Sequence, residues 1–204
     1  MTKDAKGQNA LRGQQHDLLY GVGWALIASG FVLYDSIRRI LELFSTPGAI
    51  SARSPLPPQQ IEAGVGSGVS AVMDSAVLIV PGVNTVSIVC LVLSIALGAV
   101  GLIGAAVLVA ALCVRLLRGS VFDRINIRLL AAISLSLTGA ALCTMAFRTM
   151  GLNGVFAAVG GSFDEQRQLF FEQLPLFGVA FAVAVLIVVF RRGALLQKET
   201  EGLV

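Results

Sequence analysis

Apolar residues fall in four long blocks fenced by short polar stretches. Seventeen uncharged residues lie between Asp17 and Asp35, 40 between Asp74 and Arg115, 19 between Arg128 and Arg148, and 18 between Glu172 and Arg191. A membrane-spanning helix needs about 17–25 mostly apolar residues. The pattern therefore predicts four spans, over 18–43, 86–114, 121–147 and 175–192. The second block exceeds one span and contains Pro81, Gly82 and Asn84, a turn-like cluster that puts the helix start near Val86. No block alternates as a barrel strand would, and helices pair their own backbone groups where no water can reach them. The predicted fold is an all-α membrane protein, a four-helix transmembrane bundle forming one domain over 1–204. Its termini are cytoplasmic and its extracytoplasmic loops small.

Local signals set the expected boundaries. Residues 1–17 read as a polar tail, with Asp17 as N-cap of the first helix. Tyr20 and Tyr34 suit the two interfaces of that span. Asp35, Arg38, Arg39 and Glu42 share one helical face as i,i+4 ion pairs, so the helix continues towards Phe44 until Pro47 and Gly48 end it. The first outer loop, 45–85, opens with Pro47, Pro55, Pro57 and Pro58 and then alternates in part at Ile61, Ala63, Val65, Val77 and Ile79. A short hairpin turning at Met73-Asp74-Ser75 is expected there. Gly119 breaks the second helix after the inner loop begins (115–120), and Ser120 with Asp123 resembles a capping box opening the third. In the second outer loop, 148–174, Ser162 with Glu165 forms a similar box. It predicts a short helix from Phe163 that Pro175 kinks or interrupts. The tail is 193–204.

Small residues recur at helical spacing within the blocks. Ser94, Gly98, Gly101 and Ala105 line one face of the second span, Ala131, Ser134, Thr138 and Ala141 one face of the third, and Gly21, Ala25 and Ser29 repeat every four in the first. Such stripes let helix backbones approach closely, which drives association in lipid. Intramolecular packing is the preferred reading; a dimer face or a small-residue-lined pathway is the alternative.

Composition agrees with lipid as the solvent. The chain is 56% hydrophobic and 13% charged, against about 25% charged for a soluble domain. Its mean hydropathy is +0.84. With both termini inside, the segments 1–17, 115–128 and 191–204 hold ten of the 15 Lys and Arg residues and five of the 12 acids. That excess sets the orientation, and attraction to anionic headgroups accounts for the basic balance without nucleic acid. The first block is too long for the apolar core of a cleaved leader and reads as a retained span. Cys90, Cys113 and Cys143 fall within spans and read as buried thiols rather than a disulfide framework.

One stretch of the inner side has a family likeness. Arg118-Gly119, Phe122, Asn126 and Arg128-Leu129, followed by a last helix ending Val189-Phe190-Arg191-Arg192-Gly193 and a tail Glu199-Thr200-Glu201-Gly202-Leu203-Val204, resemble the bacterial membrane family called domain of unknown function 2975. The resemblance covers the chain from about residue 18 onward. It implies four spans, no assigned activity, residence in the bacterial inner (plasma) membrane as a multi-pass protein, and a helix-turn-helix regulator as a cytoplasmic partner. The long Gly/Val-rich outer loop departs from the family pattern.

Chemical signatures are sparse. The apolar blocks contain no Asp, Glu, Lys, Arg or His, which argues against a proton-coupled pump. His16 is the sole histidine and lies in the tail. There is no P-loop, nucleophile elbow or dinucleotide fingerprint. No catalytic residue, metal site or cofactor is predicted, and the chain reads as a non-enzyme. Two functions remain. The first is a regulatory or scaffold protein acting through its cytoplasmic face, with Arg118, Phe122, Asp123, Asn126, Arg128, Arg191, Arg192 and Glu199 as candidate partner contacts. The second is a small-molecule or lipid transporter using the interior of spans two and three, where Ser94, Gly98, Gly101, Ala105, Ser134 and Thr138 pack. A homo-oligomer is compatible with either.

Overall fold

In a computed structural model the chain forms six elements: α1 (Lys3–Leu43), β1 (Ala49–Glu62), β2 (Ser70–Pro81), α2 (Thr85–Leu117), α3 (Arg124–Ala158) and α4 (Gln166–Glu201). The backbone is described for residues 3–62, 70–118 and 123–201, and side chains for 20–55, 75–118 and 123–196. The chain is mostly helical. Four helical stretches, Tyr20–Leu43, Thr85–Leu117, Arg124–Ala158 and Gln166–Leu196, are long and apolar enough to cross a membrane. By length and composition this is a multi-pass membrane protein.

Several boundaries differ from the sequence reading. Helix α1 starts at Lys3 and passes through Asp17 without a cap, because the Gln, Ala, Leu and Lys residues upstream are good helix formers and propagation costs less than nucleation. Helix α3 starts at Arg124 and continues past Phe147 to Ala158. Asp123 therefore sits at its N-cap, its carbonyl accepting from the Asn126 and Ile127 amides, and is not the third residue of a box begun by Ser120, which lies outside the described residues together with Gly119. The end of α3 is a Schellman turn. Gly160 has φ 75°, its amide donates to the Ala157 carbonyl and the Gly161 amide to the Phe156 carbonyl. The Phe156 and Phe163 rings meet across the turn with centroids 5.6 Å apart. Ser162 bonds Asp164 (3.0 Å) instead of opening a helix. Glu165 occupies the N-cap of α4, its carbonyl accepting from Gln168 and Leu169. There is no separate short helix: α4 runs without interruption through Pro175.

The chain divides into two compact units. The first comprises 1–34, 99–140 and 176–204. Here Ala105, Ile133, Leu137 and Ala180 form a buried cluster, with Leu102, Leu108, Leu112, Leu176 and Val183 packed on it. Ser136 Oγ donates to the Gly101 carbonyl (2.7 Å) and Ser134 Oγ to the Ala180 carbonyl (2.9 Å). The hydroxyls thus tie α3 to α2 on one side and to α4 on the other. Helix α1 joins through Gly21, where an added Cβ would lie 3.1 Å from Cys113 Sγ.

The second unit comprises 35–98 and 141–175. Its core is Leu43, Ile50, Ala52, Val80, Leu91, Leu152, Val155, Phe163 and Leu169. The stretch read as the first outer loop is largely an antiparallel hairpin of 14- and 12-residue strands. Met73-Asp74-Ser75 does not turn the chain. It lies in β2, with Met73 opposite Gln59 and Ser75 opposite Pro55 across an irregularity that accommodates Pro57 and Pro58, since proline cannot donate to a ladder. The residues linking the strands, Ala63 and Val65 among them, lie outside the described residues. Alternation is real but its buried phase is Ile50, Ala52 and Ser54 facing Val80, Leu78 and Ala76. Val77 and Ile79 point outward, 61% and 59% exposed. The hairpin enters α2 through Gly82 (φ 71°) and Asn84, whose Oδ1 accepts from the Val86 amide at 3.1 Å, an N-cap.

Candidate functional site

The sequence-selected residues separate into those that hold helices together and those left on the surface. On α2, Ser94 and Gly98 face α3 in the second unit, where Thr144 Oγ1 donates to the Ser94 carbonyl (3.2 Å) and an added Cβ on Gly98 would lie 2.6 Å from that hydroxyl. In the first unit a Cβ on Gly101 would lie 2.6 Å from Ala140 Cβ, and Ala105 is buried. Thr138 Oγ1 turns back to the Ser134 carbonyl in its own helix (2.9 Å). Ala141 is fully buried and Ala131 exposed, so the α3 stripe omits its first member. Ser29 bonds the Ala25 carbonyl one turn back (2.7 Å).

Two contacts in this packing escaped the sequence reading. A Cβ on Gly151 would lie 2.6 Å from Leu91, and one on Gly154 would overlap Ser87 Oγ. The signal was present as Ala140, Thr144, Gly151 and Gly154, a small-residue row on α3, and Ser87 one step before Leu91 on α2. Gly151 and Gly154 lie in the stretch 148–174 that reads as a loop from the sequence, which hides their part in the row.

Arg148 is a helical residue. It pairs with Glu172 on α4 and donates to the Arg53 carbonyl of β1 at 3.4 Å, linking three elements of the second unit. The predicted ion pairs Arg38–Glu42 (3.2 Å) and Arg39–Asp35 (2.7 Å) form on exposed α1 surface. At the hairpin foot an open hollow of about 320 Å³ is lined by Phe44, Thr46, Ile50, Val80, Val83 and Ile88 among others. Its walls hold no ionisable group, and it offers nothing for acid–base chemistry.

The polar constellation with the most connected geometry lies in the first unit, where α2 ends and α3 begins. Arg115 Nε donates to Asn126 Oδ1 (3.0 Å) and Arg115 Nη2 to Asp123 Oδ2 (2.5 Å). Asn126 is completely buried. It is therefore no contact residue: with Asp123 it clamps the last turn of α2 to the first turn of α3, a correction to its place among the partner-facing residues. Arg115, absent from the sequence-selected set, is the centre of the clamp. Asp123 remains partly exposed, its charge paired. Arg118, Arg124, Arg128, Arg191 and Arg192 are all exposed.

These arginines share a level. Ser134 on α3 is hydrogen-bonded to Ala180 on α4, and the short connection between the helices makes them antiparallel neighbours. Going from Ser134 to Arg124 and from Ala180 to Arg191 covers about 15–17 Å along each helix in the same direction. On α2 the clamp itself places Arg115 beside the start of α3. Helix α4 does not stop here: it continues to Glu201, and Leu195 and Leu196, just beyond Arg191-Arg192, are each 62% exposed. Phe122 lies outside the described residues. Glu199 lies within α4, and its side chain is outside the described set, as is that of His16.

No group of three or more His, Cys, Asp or Glu side chains could hold a metal among the described residues. The three cysteines are free. No family model, curated protein or solved structure matches the chain. The likeness to domain of unknown function 2975 thus stands on the residues quoted for it alone.

Proposed function

We propose that the protein is a non-enzymatic regulatory or scaffold protein of the bacterial inner membrane, with both termini cytoplasmic, that engages a cytoplasmic partner through the extension of α4. One observation carries this reading: α4 continues past Arg191-Arg192 and presents Leu195 and Leu196 at 62% exposure each. Exposed leucines on a helical extension with polar neighbours (Gln197, Lys198, Glu199) offer apolar surface to a partner's groove. Arg118, exposed at the end of α2 in the same unit, is a further charged contact in this reading. The Lys and Arg excess of the segments bearing the termini supports the orientation, and the family likeness supports a helix-turn-helix regulator as the partner class.

The transport alternative gains nothing from the geometry. The small residues that would line a pathway, Gly98 and Gly101 on α2, are occupied by Thr144 and Ala140 of α3, so within each unit they form a contact rather than a lumen.

Capture of cytoplasmic proteins by the detergent-solubilised full chain tests the proposal. A partner retained by the wild type is expected to be lost from Leu195→Asp, Leu196→Asp and kept by the exposed-surface control Val77→Ser. Identical capture by all three proteins overturns the reading.

A further inference from the structure

We infer that the arginine level of the first unit is a binding site for the phosphates of anionic phospholipid headgroups. Five arginines are exposed there, Arg118, Arg124, Arg128, Arg191 and Arg192. Among the described side chains at that level the one acid, Asp123, is neutralised by Arg115. Among the described side chains the patch therefore carries net positive charge, which suits an anion. Every member is arginine, whose planar fork binds phosphate oxygens bidentately where lysine offers a point charge.

The position selects lipid over a soluble anion. On α4 the pair Arg191-Arg192 directly follows the apolar span, whose last exposed residues are Val188 and Val189 (53% and 54%). On α3, Ile125 (44% exposed) sits beside Arg124. Charged heads at the end of an exposed apolar stretch match the depth profile of a bilayer interface, where acyl chains meet phosphates. This inference rests on the assignment of four spans and is independent of the partner reading.

The test uses the full chain in uncharged detergent, with the unfolding temperature followed as phosphatidylglycerol, phosphatidylcholine or inorganic phosphate is added. Phosphatidylglycerol is expected to raise the midpoint, and the other two to leave it unmoved. Each arginine near an anionic surface contributes on the order of a fivefold factor in affinity, so Arg191→Gln, Arg192→Gln is expected to raise the phosphatidylglycerol concentration needed for a given midpoint shift about 30-fold. A second pair, Arg124→Gln, Arg128→Gln, is expected to behave alike, while Arg38→Gln in the second unit keeps the wild-type response. Equal stabilisation by both lipids, or wild-type responses from both double variants, overturns the inference. An equal response to inorganic phosphate assigns the site to a soluble anion and overturns the lipid assignment. Because no cytoplasmic protein is present, failure here leaves the partner experiment to succeed or fail separately.

Discussion

At Gly101 the approach of α2 to α3 leaves no room for a methyl group: an added Cβ would lie 2.6 Å from Ala140 Cβ, 3.1 Å from the Ser136 carbonyl oxygen and 3.2 Å from Ala140 Cα. Two of those atoms are backbone, so the helices themselves must move. Gly139, one residue from Ala140, has nothing within 4 Å of its added Cβ. Gly101→Ala is expected to destabilise the protein by about 1–3 kcal/mol through overpacking. Gly139→Ala gains helix propensity and is expected to be neutral or stabilising by up to about 1 kcal/mol. Unfolding midpoints of the two variants in one detergent would separate them, and equal midpoints would contradict the packing described. Asn126 makes a second residue-scale case. Its amide is wholly buried against Arg115, and Asn126→Ala leaves that guanidinium short of an acceptor. A loss of about 1–3 kcal/mol is expected, with partner capture unchanged wherever the variant remains folded. Lost capture from a folded Asn126→Ala protein would return this residue to the contact surface.

Among the elements, the helices were legible in the sequence and the hairpin was only half so. Four uncharged blocks announce four helices because lipid demands long apolar runs and punishes charge. Ends were harder to read. Asp17, Ser120 and Ser162 carry the chemistry of caps, but a capping residue acts only where the helix stops, and that depends on packing further along. Arg148 is the clearest instance: it resembles the edge of a span, yet Glu172 and the Arg53 carbonyl receive its charge inside a helix that continues for ten more residues. The hairpin was misread at its turn because prolines at 57 and 58 suggested loop, whereas the register absorbs them as an irregularity between Pro55 and Gln59. Which strand phase faces the core is also a tertiary fact: Val77, Leu78, Ile79 and Val80 are a continuous apolar run that does not declare it. Truncation decides between the phases. Val80→Ala, at 4% exposure and opposite Ile50, is expected to cost about 1–3 kcal/mol, and Val77→Ala no more than about 0.5 kcal/mol. Thermal unfolding of both would reverse the assigned phase if Val77→Ala proved the costlier.

For the whole molecule the distribution of exposed apolar surface determines what surrounds it. The most apolar windows of α2 and α3 are each 28% buried, against 0% for α1 and 6% for α4. Phe31, Leu135 and Phe181 are 70%, 74% and 71% exposed, a surface that water would drive to aggregate. Hydrocarbon removes that penalty, and it leaves packing and interhelical hydrogen bonds such as Ser136 to Gly101 as the forces that hold helices together. The chain carries its own reporter of this solvent. Trp24 is the sole tryptophan, it is 69% exposed, and it stands about 10 Å along α1 from Asp17 and about 16 Å from Asp35, well inside the first uncharged block. In vesicles containing phospholipid brominated on the acyl chain, its fluorescence is expected to be strongly quenched, with a blue-shifted emission maximum. A water-soluble quencher such as iodide is expected to have little effect. Because a 69%-exposed ring cannot hide within the protein, the inverse pattern, iodide quenching without bromine quenching, would mean that α1 faces water and that the first span does not exist.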